Sequence, residues 1–95
     1  MRFEWDETKA QINLEKHGVT FAEAATVFSD EDAILFDDPD HSEEEDCFIL
    51  LGFSVRSNLL IVCHCYRGEN DTIRIISARK ATRNEQQYVE IRKGW

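Results

Sequence analysis

Three apolar runs of strand length stand close together in the second half of this chain: Cys47 to Phe53, Leu59 to Tyr66 and Ile73 to Ala78. The segments between them, 54–58 and 68–71, are rich in turn-forming residues and too short for a crossover. An antiparallel meander is therefore the simplest connection between consecutive runs, with the rest of the chain packed against it. The short run Ala33 to Phe36 and the alternating segment Arg2 to Trp5 read as further strands.

Ahead of the meander the apolar spacing is helical. Asp6 reads as an N-cap, Ala10 and Leu14 share one helix face, and Gly18 follows the basic last turn Lys16-His17 as a C-cap residue. Thr20-Phe21-Ala22-Glu23 is a capping box, with Phe21, Ala24, Ala25 and Phe28 at core-facing spacing. Thr82-Arg83-Asn84-Glu85 is a second capping box, opening a final helix that carries Tyr88 and Val89. The order predicts an α+β fold in one domain over residues 1–95. It is an antiparallel β-sheet meander with two N-terminal helices and one C-terminal helix packed on it, the helices on one face.

Turn positions give a trial register. With Arg67 facing Thr72 across the last turn, Cys65 opposes Arg74 and Leu60 opposes Arg79. With Ser54 opposite Leu59, Asp46 falls beside Arg67, as a cross-strand ion pair, and Cys47 falls across from Tyr66. The arginines then form two groups, Arg67 with Arg74 near the turn, and Arg79 with Lys80 and Arg83 at the far end. At about 3.3 Å per residue these groups lie on the order of 20 Å apart. Arg79 and Arg83 have no obvious acidic partner, and the start of the last helix offers backbone N–H groups to an anion.

Charge is segregated along the chain. Residues 1–55 hold fifteen Asp/Glu against three Lys/Arg, and residues 56–95 hold four against eight, within a formal net charge of −8. The basic segment Arg74 to Arg83 is a candidate phosphate site despite the acidic total. The stretch from Asp30 to Asp46 has ten carboxylates in seventeen residues. It would repel RNA, and reads either as a solvated loop or as a dock for a basic partner segment, with Asp37, Asp38, Asp40, Glu43, Glu44 and Glu45 as its contacts. A calcium loop is disfavoured, because the spacing matches no EF-hand.

Cys47, Cys63 and Cys65 are odd in number and lie in apolar runs, which predicts reduced, buried thiols and no disulfide. Cys63-His64-Cys65 is a poor metal site, since on a strand His64 points away from both thiols. No cofactor is expected. No apolar stretch approaches the length that spans a bilayer, and Met1 to Asp6 lacks a signal-peptide core, so a cytoplasmic protein is expected.

Taken together, Phe3-Glu4-Trp5-Asp6, Lys16-His17-Gly18-Val19 with Phe21, His41-Ser42, Leu51-Gly52-Phe53-Ser54 and Arg74-Ile75-Ile76-Ser77-Ala78-Arg79 with Glu85 and Tyr88 resemble the BrnT family of type II toxins. The resemblance runs through nearly the whole chain in order. It implies a RelE-like ribonuclease toxin, neutralised by a BrnA-type ribbon-helix-helix antitoxin, with operator DNA bound only through that antitoxin. In the family the position of Cys47 is often Arg and that of Tyr66 often Glu. In the trial register these face each other, so an ion pair would be exchanged for an apolar pair.

Metal-independent RNA cleavage needs a base for the 2′-OH, an acid for the leaving oxygen and cations for the phosphorane. Arg79 and Arg83 are the first candidates for the cations, and Arg67 and Arg74 the second, because a guanidinium binds phosphate bidentately. His17 is the acid/base candidate by its ordinary pKa, against a helix-capping role. Lys80, Ser77 and Tyr88 are candidates for RNA contact, Ser77 also by orienting Arg79 on a shared face, and Tyr88 by a hydrogen bond to phosphate or by stacking on a base, with a core position as its alternative. A co-repressor module without activity is the competing reading. An acidic DNA mimic is opposed by the basic C-terminal third.

Overall fold

A computed structural model describes residues 1–39, 46–68 and 71–93, with side chains through Ile91. The elements in chain order are β1 (Arg2–Glu4), α1 (Glu7–His17), α2 (Phe21–Thr26), β2 (Ile34–Asp37), β3 (Asp46–Phe53), β4 (Leu59–Arg67), β5 (Thr72–Lys80) and α3 (Arg83–Lys93). A 3₁₀ turn, Val27–Ser29, follows α2. The sheet order is β1-β5-β4-β3-β2. β2 to β5 form the antiparallel meander expected from the short turns, and β1 joins β5 in parallel, so the sheet is mixed.

The helix boundaries follow local chemistry. Asp6 accepts the Lys9 backbone N–H at 3.1 Å, and Gly18 closes α1 in the left-handed region at φ 70°, donating to Leu14. There a Cβ would be strained, which is why glycine ends the helix. Thr20 accepts the Glu23 N–H at 3.0 Å. The Glu23 carboxylate, however, does not close the box. It accepts from Ser54 Oγ at 2.7 Å and Asn58 Nδ2 at 2.8 Å, tying α2 to the β3–β4 turn.

α1 buries Asn13, whereas Leu14 is 40% exposed. Asn13 Nδ2 donates to the carbonyls of Val19 and Ala78, at 2.9 and 2.8 Å, and its Oδ1 accepts the Ala78 N–H at 3.1 Å. β1 pairs with β5 only as far as Arg74, so among the described residues the outer edge of β5 beyond that point has no strand neighbour on this side. The Asn13 amide substitutes for a peptide there and satisfies Ala78, which a leucine cannot do.

The core lies on both sheet faces, and here the structure corrects the expectation of helices on one face. Leu50, Leu60, Val62, Ile75 and Ala78 pack with Val19, Phe21, Ala24 and Val27 from the α1/α2 side. Their strand neighbours Leu51 and Ile61 pack with Val89 of α3. Alternate strand residues point to opposite faces, so α3 covers the face away from α1 and α2. Each fully buried Leu or Phe contributes about 1.5–3 kcal/mol. Gly52 lets the 3₁₀ turn approach β3, since a Cβ would sit 2.8 Å from Ala33 Cβ and 2.9 Å from Val27 Cγ1.

Two register assignments also change. Phe53 pairs with Leu59, and Asp46 with Tyr66, because Ser54 belongs to the turn and donates its N–H to Asn58 at 2.9 Å. Cys47 therefore opposes Cys65, not Tyr66, and Asp46 is not paired with Arg67. In the last hairpin Arg67 faces Thr72 and Cys65 faces Arg74 as expected, but the register shifts between Cys63 and His64. Ile76 is the extra residue, so Arg79 opposes Ile61 and Leu60 opposes Lys80. That one-residue bulge puts Arg79 on the α3 face.

Candidate nucleic-acid interface

Arg79 sits at the end of β5, directly before the turn into α3. Its two terminal nitrogens donate to the two Glu85 carboxylate oxygens, both at 2.8 Å, and Nη1 also reaches the Lys80 carbonyl at 3.3 Å. Glu85 completes the capping box at the same time: it accepts the Thr82 N–H at 2.8 Å while its own N–H donates to Thr82 Oγ1 at 3.2 Å. Hydrogen bonding from Arg79, with help from Thr82 and against partial burial, lowers the Glu85 carboxyl to about 2. Arg79 thus has an acidic partner, contrary to the sequence reading, because the helix turn folds Glu85 back over the strand end. Its Nε–H and one Nη2 hydrogen remain for another acceptor.

Arg83 stands exposed on the first turn of α3, and Lys80 is exposed at the end of β5. At the other end of the sheet, Arg74 donates to Glu4 at 2.8 Å, and Arg67 lies 3.9 Å from the same carboxylate. Parallel pairing of β1 sets Glu4 beside Arg74, and this replaces the Asp46–Arg67 pair expected from the trial register. By strand alternation Arg67, Arg74, Ser77 and Arg79 share the α3 face.

Ser77 also borders an open cleft of about 200 Å³ with His17, Lys9 and Lys16. The fold therefore brings His17 to Ser77, and Ser77 to the face of Arg79. Tyr88 is 56% exposed rather than core, its ring 5.6 Å from that of Phe36.

The cysteine expectation fails. Cys47 and Cys65 form a disulfide between directly opposed positions of β3 and β4, and Cys63 is free. The one-residue correction in register makes them neighbours, which no spacing pattern announces. Cys47 and Tyr66 also point to opposite faces, so they do not constitute one exchanged pair. His64 does lie opposite the cysteines: it is buried against Phe28 and Phe48, and burial lowers its pKa. Among the described residues no group of three or more His, Cys, Asp or Glu is placed to hold a metal ion.

Of the acidic candidates, Asp37 ends the edge strand β2 and is exposed, and Asp38 follows it. Asp40, Glu43, Glu44 and Glu45, with His41, lie outside the described residues. Sequence reasoning missed Glu4 and the second role of Glu85. Glu85 was legible as a cap, but only the turn geometry reveals it as the partner of Arg79.

A mixed five-stranded sheet with an arginine-bearing face and a capped helix beside it defines a small α+β protein. The chain belongs to the family of BrnT ribonuclease toxins of type II toxin–antitoxin systems, whose model matches residues 5–85. The structure is similar to the crystal structure of the Brucella abortus ribonuclease toxin BrnT, at 27% identity and a TM-score of 0.68, over 87% of this chain and 99% of that one. No curated protein matches the sequence. Membership makes RNA the substrate class and an antitoxin protein the partner. Among the described residues no helix is long and apolar enough to cross a membrane.

Proposed function

We propose that this toxin cleaves RNA without a metal ion, on the α3 face of its sheet: a ribose 2′-OH loses its proton and attacks the adjacent phosphate, the P–O5′ bond breaks, and a 2′,3′-cyclic phosphate and a protonated 5′-hydroxyl result. The observation that carries this reading is the Arg79 guanidinium, held in plane by Glu85 with N–H groups left over, with exposed Arg83 opening the helix that follows. A pre-oriented cation stabilises developing phosphorane charge without reorganising. Arg83 and Lys80 supply further positive charge, and the α3 N-terminus adds its dipole. Arg74 and Arg67, both within reach of Glu4, serve a neighbouring phosphate of the strand, and Ser77 orients the RNA between the two groups. His17 lies on the α1 side and meets this face only at the β5 edge, through the cleft it shares with Ser77; from there it serves as the proton-transfer group.

The partner in this reading is a ribbon-helix-helix antitoxin of the BrnA kind. Its basic segment docks on Asp37, Asp38 and the acidic residues through Glu45, and only through it does the toxin meet operator DNA. The whole chain acts as one cytoplasmic toxin domain.

One observation favours the alternative, a co-repressor without activity: Arg79 and Arg74 are each already engaged by a carboxylate. Purified, partner-free protein incubated with RNA in EDTA separates the two. Cleavage supports the ribonuclease reading, and intact RNA from folded protein supports the co-repressor.

A further inference from the structure

Between the sheet and α3 an open apolar cleft of about 260 Å³ is lined by Phe36, Ile49, Leu51, Ile61, Glu85 and Tyr88. Its size falls just below that of pockets that enclose drug-sized ligands, so it suits a single flat ring system. Tyr88 forms one wall. Its neighbour Val89 is anchored in the core against Leu51 and Ile61, while Tyr88 itself stays 56% exposed, edge-on to Phe36 at 71°. An aromatic ring fixed by a buried neighbour and left facing solvent has lost little further freedom to give up on binding.

The cleft adjoins the Arg79–Glu85 clamp at two points. Glu85 lines it while holding Arg79, and Ile61 is the cross-strand partner of Arg79. An apolar aromatic wall beside a guanidinium is the kind of arrangement by which proteins hold single-stranded nucleic acid: a base stacks while a basic group meets the phosphate.

We propose that this cleft receives one unpaired base of the RNA, stacked on Tyr88, with its phosphate directed to Arg79 and Arg83. The assignment rests on the ribonuclease reading for the identity of the strand. Because every base has an aromatic face and the cleft walls are mainly apolar, the site tolerates base identity and requires only that a base be present.

The test is binding of a short, fully 2′-O-methylated RNA, which lacks the attacking hydroxyl, to the full chain and to Tyr88→Phe and Tyr88→Leu, with folding checked by circular dichroism. Tyr88→Phe should bind within twofold of wild type, and Tyr88→Leu about tenfold more weakly. An abasic spacer scanned along the RNA should weaken wild type by a similar factor at one position and leave Tyr88→Leu unaffected there. Equal affinity of folded Tyr88→Leu and wild type, or no sensitivity to any abasic position, overturns the cleft assignment. Cleavage of unmodified RNA in EDTA is scored separately, so loss of the cleft leaves the ribonuclease reading standing, and intact RNA refutes that reading without touching the binding result.

Discussion

Arg79 and Glu85 meet through two parallel hydrogen bonds of 2.8 Å, joining the end of the last strand to the first turn of the last helix. The same carboxylate caps α3, so one residue sets the direction of the helix and the plane of the guanidinium. With side chains 39% and 27% exposed, the pair is screened by solvent. Its coupling should be about 1 kcal/mol, measured by a double-mutant cycle of Arg79→Met and Glu85→Gln in urea. Zero coupling would mean that the clamp adds nothing to stability.

The acid limb of stability should carry the same signature. Glu85 has its carboxyl lowered from 4.5 to about 2 in the folded chain. The unfolded chain therefore binds the proton first, and the stabilisation is complete above 4.5 and lost as the pH falls from 4.5 toward 2. Urea midpoints between those values should fall less steeply in Glu85→Gln than in wild type.

A second pH effect comes from His64. Burial lowers its pKa below the ordinary 6.5, with the Val62 carbonyl acting in the opposite direction. The unfolded chain is protonated first as the pH drops, so this residue subtracts stability below 6.5 and nothing above it. By NMR the His64 ring should titrate below 6.5, and a midpoint at or above that value would contradict its buried position.

The cysteines give a direct count. Cys47–Cys65 closes a separation of 18 residues and leaves Cys63 free. Unfolded under non-reducing conditions, the protein should yield one reactive thiol, and three after reduction. Reduction should lower stability by about 3 kcal/mol on the chain-entropy account. Three thiols without reductant would refute the bridge.

Packing at Gly52 is equally testable. Gly52→Ala places a Cβ 2.8 Å from Ala33 Cβ and should cost about 1–3 kcal/mol in urea denaturation.

What the sequence made legible was whatever depends on residues a few positions apart. The caps at Asp6, Gly18 and Thr82 fall where they were read, because each is a contact within a single turn. The strands were readable from short apolar runs between turns. Register was not, since Ser54 inside the turn and the extra Ile76 each move side chains by one position, enough to bring Cys47 to Cys65 and Arg79 to the α3 face. Contacts spanning the chain were hidden altogether: Glu4 with Arg74 depends on a parallel edge pairing, and the burial of Asn13 in place of Leu14 depends on the open edge of β5. The arginines of the candidate site could be named from composition, but their carboxylate partners could not.

In the proposed function the arginines at the β5–α3 junction carry RNA cleavage. The measurement is the single-turnover rate on RNA in EDTA for wild type, Arg83→Ala, Arg79→Ala and Arg67→Ala, each with its thermal midpoint. Arg83→Ala should keep the wild-type midpoint and, like Arg79→Ala, lose on the order of 10²-fold or more in rate, with a smaller loss for Arg67→Ala. Wild-type rates in folded Arg79→Ala and Arg83→Ala would show that these arginines do not carry cleavage.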